Sequence, residues 1–365
     1  MGVVMKGLSA AFGAFLSFGI VAAGSAPARA DVLLSGPTGN AGNYSTAGLA
    51  SFAASKTLYS FGGLTGVALW DLLGGGVPAA PNTPSTPNVS WGSISTSTPP
   101  GYAGNNAILR SYVLATGADG ARTVVSLGEI APVFGAVPTG PNYAPAFIAF
   151  KTDGGALLPT PELVIPQSSA RGVDTLASLQ LLSVPALPSA DRTLSTGVVL
   201  NGGAATNPGT YTLADLQNNF TPTNVVANAN TYTGIPLWTF LDPNTSDIMD
   251  KLVVIKGTDG YEVVHALAEL DPSQGGDPNI LLAYADIGME LDPGSSDIVR
   301  TILPGDTMRR GRWMSNLYEI DIIDAPTAAP LPGSWTMMML GLGVLGFARR
   351  RHAKKLLAER ERAGA

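Results

Sequence analysis

Apolar residues in the body of the chain alternate in short runs and do not recur with helical spacing. Val253 and Ile255, then Val263, His265 and Leu267, alternate on either side of Gly257-Thr258-Asp259-Gly260. A second Gly-x-Asp-Gly, Gly117 to Gly120, lies between similar runs. This is the pattern of tight β-hairpins whose glycines accept positive φ, and it places His265 on one strand face. A lone strand histidine is more often packed than a ligand. LWDLL at 69–73 and LWTFL at 237–241 read as short amphipathic helices in which Trp70 and Trp238 cap a core.

These elements recur in one order. Leu64–Leu73 returns as Tyr232–Leu241, and Ile108–Pro132 returns as Ile248–Pro272. Phe147–Phe150 then matches Leu281–Tyr284, and Val164–Pro166 matches Ile302–Pro304. The second pair keeps a glutamate three residues before proline, Glu129 and Glu269, expected at a strand-to-turn exit with a backbone amide as partner. The expected organisation is a leader at 1–30, a first repeat at 31–190, a Pro/Ser/Gly/Asn-rich linker at 191–210, a second repeat at 211–325 and a terminal segment at 326–365. Within the first repeat, Pro78–Pro100 reads as a surface insertion, because it lacks charge and helix formers.

Both ends break the β pattern. Lys6, an apolar run from Leu8 to Ala23 and the small-residue exit Ala28-Arg29-Ala30 have the three parts of a secretory signal peptide, so Asp31 is the expected first mature residue. Near the other end, Pro330-Leu331-Pro332-Gly333 precedes an apolar helix over Trp335–Ala348 and then Arg349, Arg350 and Arg351. That helix is barely long enough to span a membrane, and the basic residues, with Lys354 and Lys355, would hold its end in the cytoplasm.

Composition excludes several kinds of chemistry. The chain has no cysteine, so disulfides, thiol nucleophiles and thiolate metal sites are absent. Its two histidines are His265 and His352, so a Ser-His-Asp hydrolase would have to use His265, and no G-x-S-x-G accompanies it. No catalytic residues are assigned. Residues 31–332 carry 25 acidic and 12 basic side chains, a net of −13, which disfavours nucleic acid. The 44 glycines and 28 prolines fit short strands and many turns. Asp242, Asn244, Asp247 and Asp250, or Asp271, Asp277 and Asn279, lack EF-hand spacing, and turn and helix-cap chemistry accounts for them. One dense basic loop remains, with Arg309, Arg310 and Arg312 between Gly305-Asp306 and Trp313. It is either an anion-binding loop or a turn whose arginines offset Asp297, Asp306 and Glu319.

Two resemblances sharpen these expectations. The Pro-Leu-Pro-Gly, short helix and triple arginine resemble the PEP-CTERM sorting signal of Gram-negative bacteria, although the tail His352–Ala365 is longer than usual. That resemblance implies export, processing by the membrane protease exosortase as partner, and delivery to the cell envelope or exopolysaccharide matrix. Tyr232–Ile323, with YTGIPLWTFL, the Asp-Gly-Tyr hairpin, ILLAYADIGMEL and ILPGDTMRRGRWM, resembles the molybdopterin-binding domain of the sulfite oxidase family. Leu64–Val184 resembles it more loosely. The implied fold class is α+β: two tandem, largely antiparallel β domains with short helices. The family holds molybdenum through a cysteine just before the Gly-Val-Pro-Leu element, and here that stretch is NVVANANTY at 224–232. The expectation is therefore a non-enzymatic envelope protein without cofactor. The alternatives are a molybdopterin protein lacking its thiolate, with the pterin on Arg309, Arg310 and Arg312, and a carbohydrate-binding or adhesive module.

Overall fold

The structure, a computed structural model, describes residues 31–75, 107–132, 134, 145–185, 196–227, 229–242, 245–286, 289–290, 299–306 and 312–326. The leader, the Pro78–Pro100 insertion, the Trp335–Ala348 helix and the terminal arginines lie outside the described residues. Among the described residues no helix is long and apolar enough to cross a membrane.

The first repeat runs β1 (Val32–Ser35), β2 (Gly42–Tyr44), α1 (Thr46–Phe52), β3 (Leu58–Phe61), β4 (Leu64–Ala68), α2 (Leu69–Leu72), β5 (Ser111–Gly117), β6 (Arg122–Ser126), α3 (Leu127–Ile130), β7 (Phe147–Thr152), β8 (Leu157–Val164) and β9 (Leu176–Ser183). The second runs β10 (Val198–Gly202), β11 (Gly209–Tyr211), α4 (Leu213–Asn219), β12 (Thr223–Ala227), β13 (Asn230–Pro236), a 3₁₀ turn at Leu237–Phe240, β14 (Lys251–Gly257), β15 (Glu262–Ala266), α5 (Leu267–Leu270), β16 (Leu281–Asp286), β17 (Met289–Glu290), β18 (Arg300–Ile302) and β19 (Leu317–Asp324). Strands dominate and helices are few and short, consistent with α+β.

Each repeat holds two sheets of matching order. One is β2-β1-β9-β5-β6 in the first repeat and β11-β10-β19-β14-β15 in the second. The other is β3-β4-β7-β8, matched by β12-β13-β16, with β17 and β18 both pairing with β16 in place of one long strand. The first strand of each repeat pairs in parallel with its last, β1 with β9 and β10 with β19. The long sheets meet through a small apolar layer, with Tyr112, Leu114, Val124 and Val184 against Leu252, Val254, Val264 and Ala266. Arg122 on β6 crosses to Asp250 at 2.9 Å and donates to the Pro326 carbonyl. The main core runs through both repeats.

The hairpins form where the Gly-x-Asp-Gly spacing places them. Asp119 and Asp259 each accept from the backbone N–H two residues on, and Gly120 and Gly260 take φ of +89° and +79°. Only the second glycine of each motif is left-handed; at Gly117 and Gly257 a Cβ would instead meet the turn aspartate at 2.4 and 2.7 Å.

Two expectations are corrected. The stretch 191–210 is not simply a linker, because Val198–Gly202 is β10, paired in parallel with β19, and Gly209 opens β11. Its Gly- and Asn-rich flanks read as loop, but pairing with a strand some 120 positions away overrides local composition. Leu267 does not extend the strand that carries His265: it opens α5.

Candidate functional site

The hairpin strands β6 and β15 deliver their chains into α3 and α5, and each of these single-turn helices carries one of the matched glutamates. Both carboxylates turn inward and meet arginines from the loops that precede the last strand of each repeat. Arg171 binds Glu129 bidentately, at 2.5 Å through Nη1 and 2.8 Å through Nη2, and Nη2 also reaches the Val124 carbonyl. In the second repeat Arg312 donates to Glu269 through Nη1. Its Nε and Nη2 bind Asp306, whose side chain is fully buried, with Nη2 at 2.7 Å from Oδ1. Arg171 and Arg312 are 2% and 9% exposed, so these are interior ion pairs, not solvated surface contacts.

The two halves interlock. Ser126 caps α3 by accepting from the Glu129 N–H at 3.1 Å, and its hydroxyl donates across the repeats to Glu269 Oε2 at 2.8 Å. The matching position in the second repeat is Ala266, whose N–H donates to Glu269 Oε2 at 3.4 Å. The expected glutamate-to-amide contact therefore holds for Glu269, and the stronger partner of both glutamates is arginine. Gly128 lets Arg312 through, since a Cβ there would stand 2.6 Å from Arg312 Cδ. His265, fully buried, places Nδ1 3.4 Å from Glu269 Oε1.

Burial raises both carboxylates, and their neighbours then separate them. Burial holds Glu129 above the ordinary carboxylate range, with Arg171 opposing and Glu269's charge adding to the rise. At Glu269 the burial effect is outweighed by Arg312, then by His265 and Ser126, so it is held well below that range. Burial would lower Arg312, but Asp306 and Glu269 hold it above the usual guanidinium value.

The sign of each contribution follows. Glu269, depressed, adds stability above the ordinary carboxylate range that is lost as pH falls through its folded value. Glu129, raised, contributes stability below that range that is lost as pH rises through its folded value. Glu269→Gln is therefore expected to cost more at pH 7 than in acid, whereas Glu129→Gln costs less at about pH 7 than at about pH 4. Urea denaturation of both variants across that window checks the opposite slopes, and parallel slopes would refute them.

Of the basic-loop residues singled out by sequence, Arg309 and Arg310 lie outside the described residues. Arg312 is 9% exposed, and its guanidinium is bonded to Asp306 and Glu269. Asp271 and Asp277 do what turn chemistry predicts: Asp271 accepts from Ser273 N–H, and Asp277 accepts from the backbone and side chain of Asn279. Among the described residues no three acidic or histidine side chains gather into a metal-binding group. Sequence reasoning missed Arg171 and Ser126. The available signal was Arg171's place five residues after Pro166, in the loop corresponding to that of Arg312, eight residues after Pro304.

The stretch 224–232, where the sequence resemblance would call for a thiolate, belongs to the β12–β13 hairpin. Among the described residues it meets the end of the basic loop as packed core: Tyr232, 1% exposed, meets Trp313 edge-on at 5.8 Å, and Trp313 Nε1 donates to the Leu303 carbonyl at 3.0 Å. Asn224 bonds Thr233 and Asn230 reaches Asp286, so the hairpin's amides serve local pairing. With no sulfur donor there, the residues present do not fit a molybdenum centre.

Residues 328–351 match the PEP-CTERM protein-sorting motif. The motif marks an exported protein sorted by exosortase to the cell envelope or beyond the cell. A comparison with curated proteins returned no match.

Proposed function

We propose that this chain delivers a non-catalytic, two-repeat scaffold of sulfite oxidase-like ancestry to the envelope or the extracellular polysaccharide matrix. The sorting motif accounts for its destination. The observation that carries the non-catalytic reading is the internal pairing of Arg312: the guanidinium that would have held an anionic cofactor is bound by Asp306 and Glu269 instead. A pterin phosphate at that place would face two buried carboxylates. The hairpin that would supply the metal ligand offers only amide, hydroxyl and backbone groups, and it is closed by the Tyr232–Trp313 contact.

The test is metal and pterin analysis of the chain purified after export from a molybdopterin-producing host. Molybdenum and pterin are expected far below one per chain, and sulfite is not oxidised. Stoichiometric molybdenum together with oxygen-atom transfer would replace the scaffold reading with that of a thiolate-free oxidoreductase. Deleting residues 328–351 and expressing the shortened chain in the same host is expected to abolish sorting while leaving the body folded, checked by fractionation and circular dichroism.

A further inference from the structure

The charged cluster lines a cleft of about 220 Å³ to which both repeats contribute. Its walls pair by pseudo-symmetry, with Glu129 and Arg171 answering Glu269 and Arg312, and Ile165 answering Leu303. Charge decides what can enter. The two guanidiniums would invite an anion, but each is already bound to a carboxylate, and Asp277, which also lines the cleft, adds a third negative group. An entering phosphate meets Glu129 and Glu269 as well as the arginines; an entering cation meets Arg171 and Arg312. A neutral ligand that both donates and accepts hydrogen bonds meets neither repulsion.

The internal pairing leaves capacity for such a ligand. An ionised carboxylate offers about four acceptor sites, of which Arg171 occupies two on Glu129, and a guanidinium carries five N–H donors in a fixed fork. Vicinal hydroxyls match that arrangement, donating to a carboxylate while accepting from the neighbouring guanidinium. Ile165, Ile280 and Leu303 supply an apolar wall for C–H groups. The volume is below the ~300–1,000 Å³ of drug-sized sites, which limits the occupant to about one ring.

We propose that this cleft binds one neutral sugar ring, whose hydroxyls bridge the Glu129–Arg171 pair and reach Arg312 across the cleft, Glu269 being filled by its own partners. This goes beyond the scaffold reading, which stands or falls separately on molybdenum content.

Calorimetry on the exported chain with glucose, galactose, mannose and N-acetylglucosamine, and with glucuronate and inorganic phosphate as charged comparators, tests it. At least one neutral sugar is expected to bind saturably at one site per chain. Gly305 borders the cleft and a Cβ there would meet nothing within 4 Å, so Gly305→Phe adds bulk at the cleft while leaving every ion-pair partner in place. It is expected to weaken binding at least tenfold at unchanged Tm, with Gly305→Leu as the milder blocker should Phe lower Tm. Gly203→Phe, equally open but outside the cleft, retains binding. No saturable binding by any of the four sugars, stronger binding of phosphate or glucuronate, or undiminished binding in both Gly305 variants would overturn the assignment.

Discussion

Arg312→Met is expected to destabilise the fold by about 3–5 kcal/mol at neutral pH, the cost of removing one partner from a buried ion pair. Arg312 is bound by two carboxylates, so the substitution strands both Glu269 and Asp306 in the interior. The residual partners of Glu269 are Ser126, the Ala266 N–H and His265, none of which supplies a full compensating charge when neutral. Both carboxylates would then be driven to take up protons, so the deficit shrinks as pH falls and they neutralise. Arg171→Met strands one carboxylate, Glu129, which burial already holds above the ordinary range and which accepts a proton readily. Its expected cost is smaller, about 1–3 kcal/mol. Urea denaturation of both variants at neutral and mildly acidic pH measures the difference. Equal losses, or an Arg312→Met deficit that does not change with pH, would show that the arginines act through packing of their stems and not through charge. The triple variant Arg312→Met, Glu269→Gln, Asp306→Asn separates the two further, since removing the stranded charges should recover part of the loss.

The asymmetry between the two ion pairs marks the limit of what the sequence disclosed. The duplication, the Asp-Gly hairpins and the Trp-bearing turns are local: each depends on residues within a few positions of one another, and local spacing carries them. The first strand of each repeat is local on one edge only. β1 and β10 each have a nearby partner on one edge, β2 and β11, but on the other edge Leu33 lies beside Ser178 and Val199 beside Glu319, so that pairing forms only when the chain has closed on itself. The glutamates were visible as a matched pair, but their partners were not. Arg171 and Arg312 reach them across 42 and 43 positions, from loops that align only approximately because the second is three residues longer between its proline and its arginine. Arg312 also looked like the end of an exposed basic run, and it is the fold around Asp306 and Gly128 that draws it inside. The sorting motif was legible because its information is local: a short ordered string of residue types.

The Thr-Gly step shared by the two repeats gives the second large effect. Gly66 and Gly234 each sit at a register shift in the central pairing of the shorter sheets, between Thr65 and Gly66 and between Thr233 and Gly234. At both places the neighbouring strand passes where a side chain would be: a Cβ on Gly66 would lie 2.0 Å from the Ile148 carbonyl oxygen, and one on Gly234 would lie 2.2 Å from that of Leu282. The obstacle is backbone, which cannot rotate aside as a side chain can, so relief requires shifting β7 or β16 and the buried residues they carry. Gly66→Ala and Gly234→Ala are each expected to cost about 3 kcal/mol or more, at the upper end of overpacking effects. They lie in different sheets, so their effects should nearly add, and the double variant approaches the whole stability of an ordinary domain, about 5–15 kcal/mol. Gly203→Ala is the control: with nothing within 4 Å of its Cβ and no left-handed φ, it should be neutral or stabilise by about 0.4–1 kcal/mol through the unfolded chain. Denaturant midpoints at constant m-value decide the matter. A cost below about 1 kcal/mol at either glycine would mean that the strands separate easily there and that the close approach is incidental to the duplicated fold.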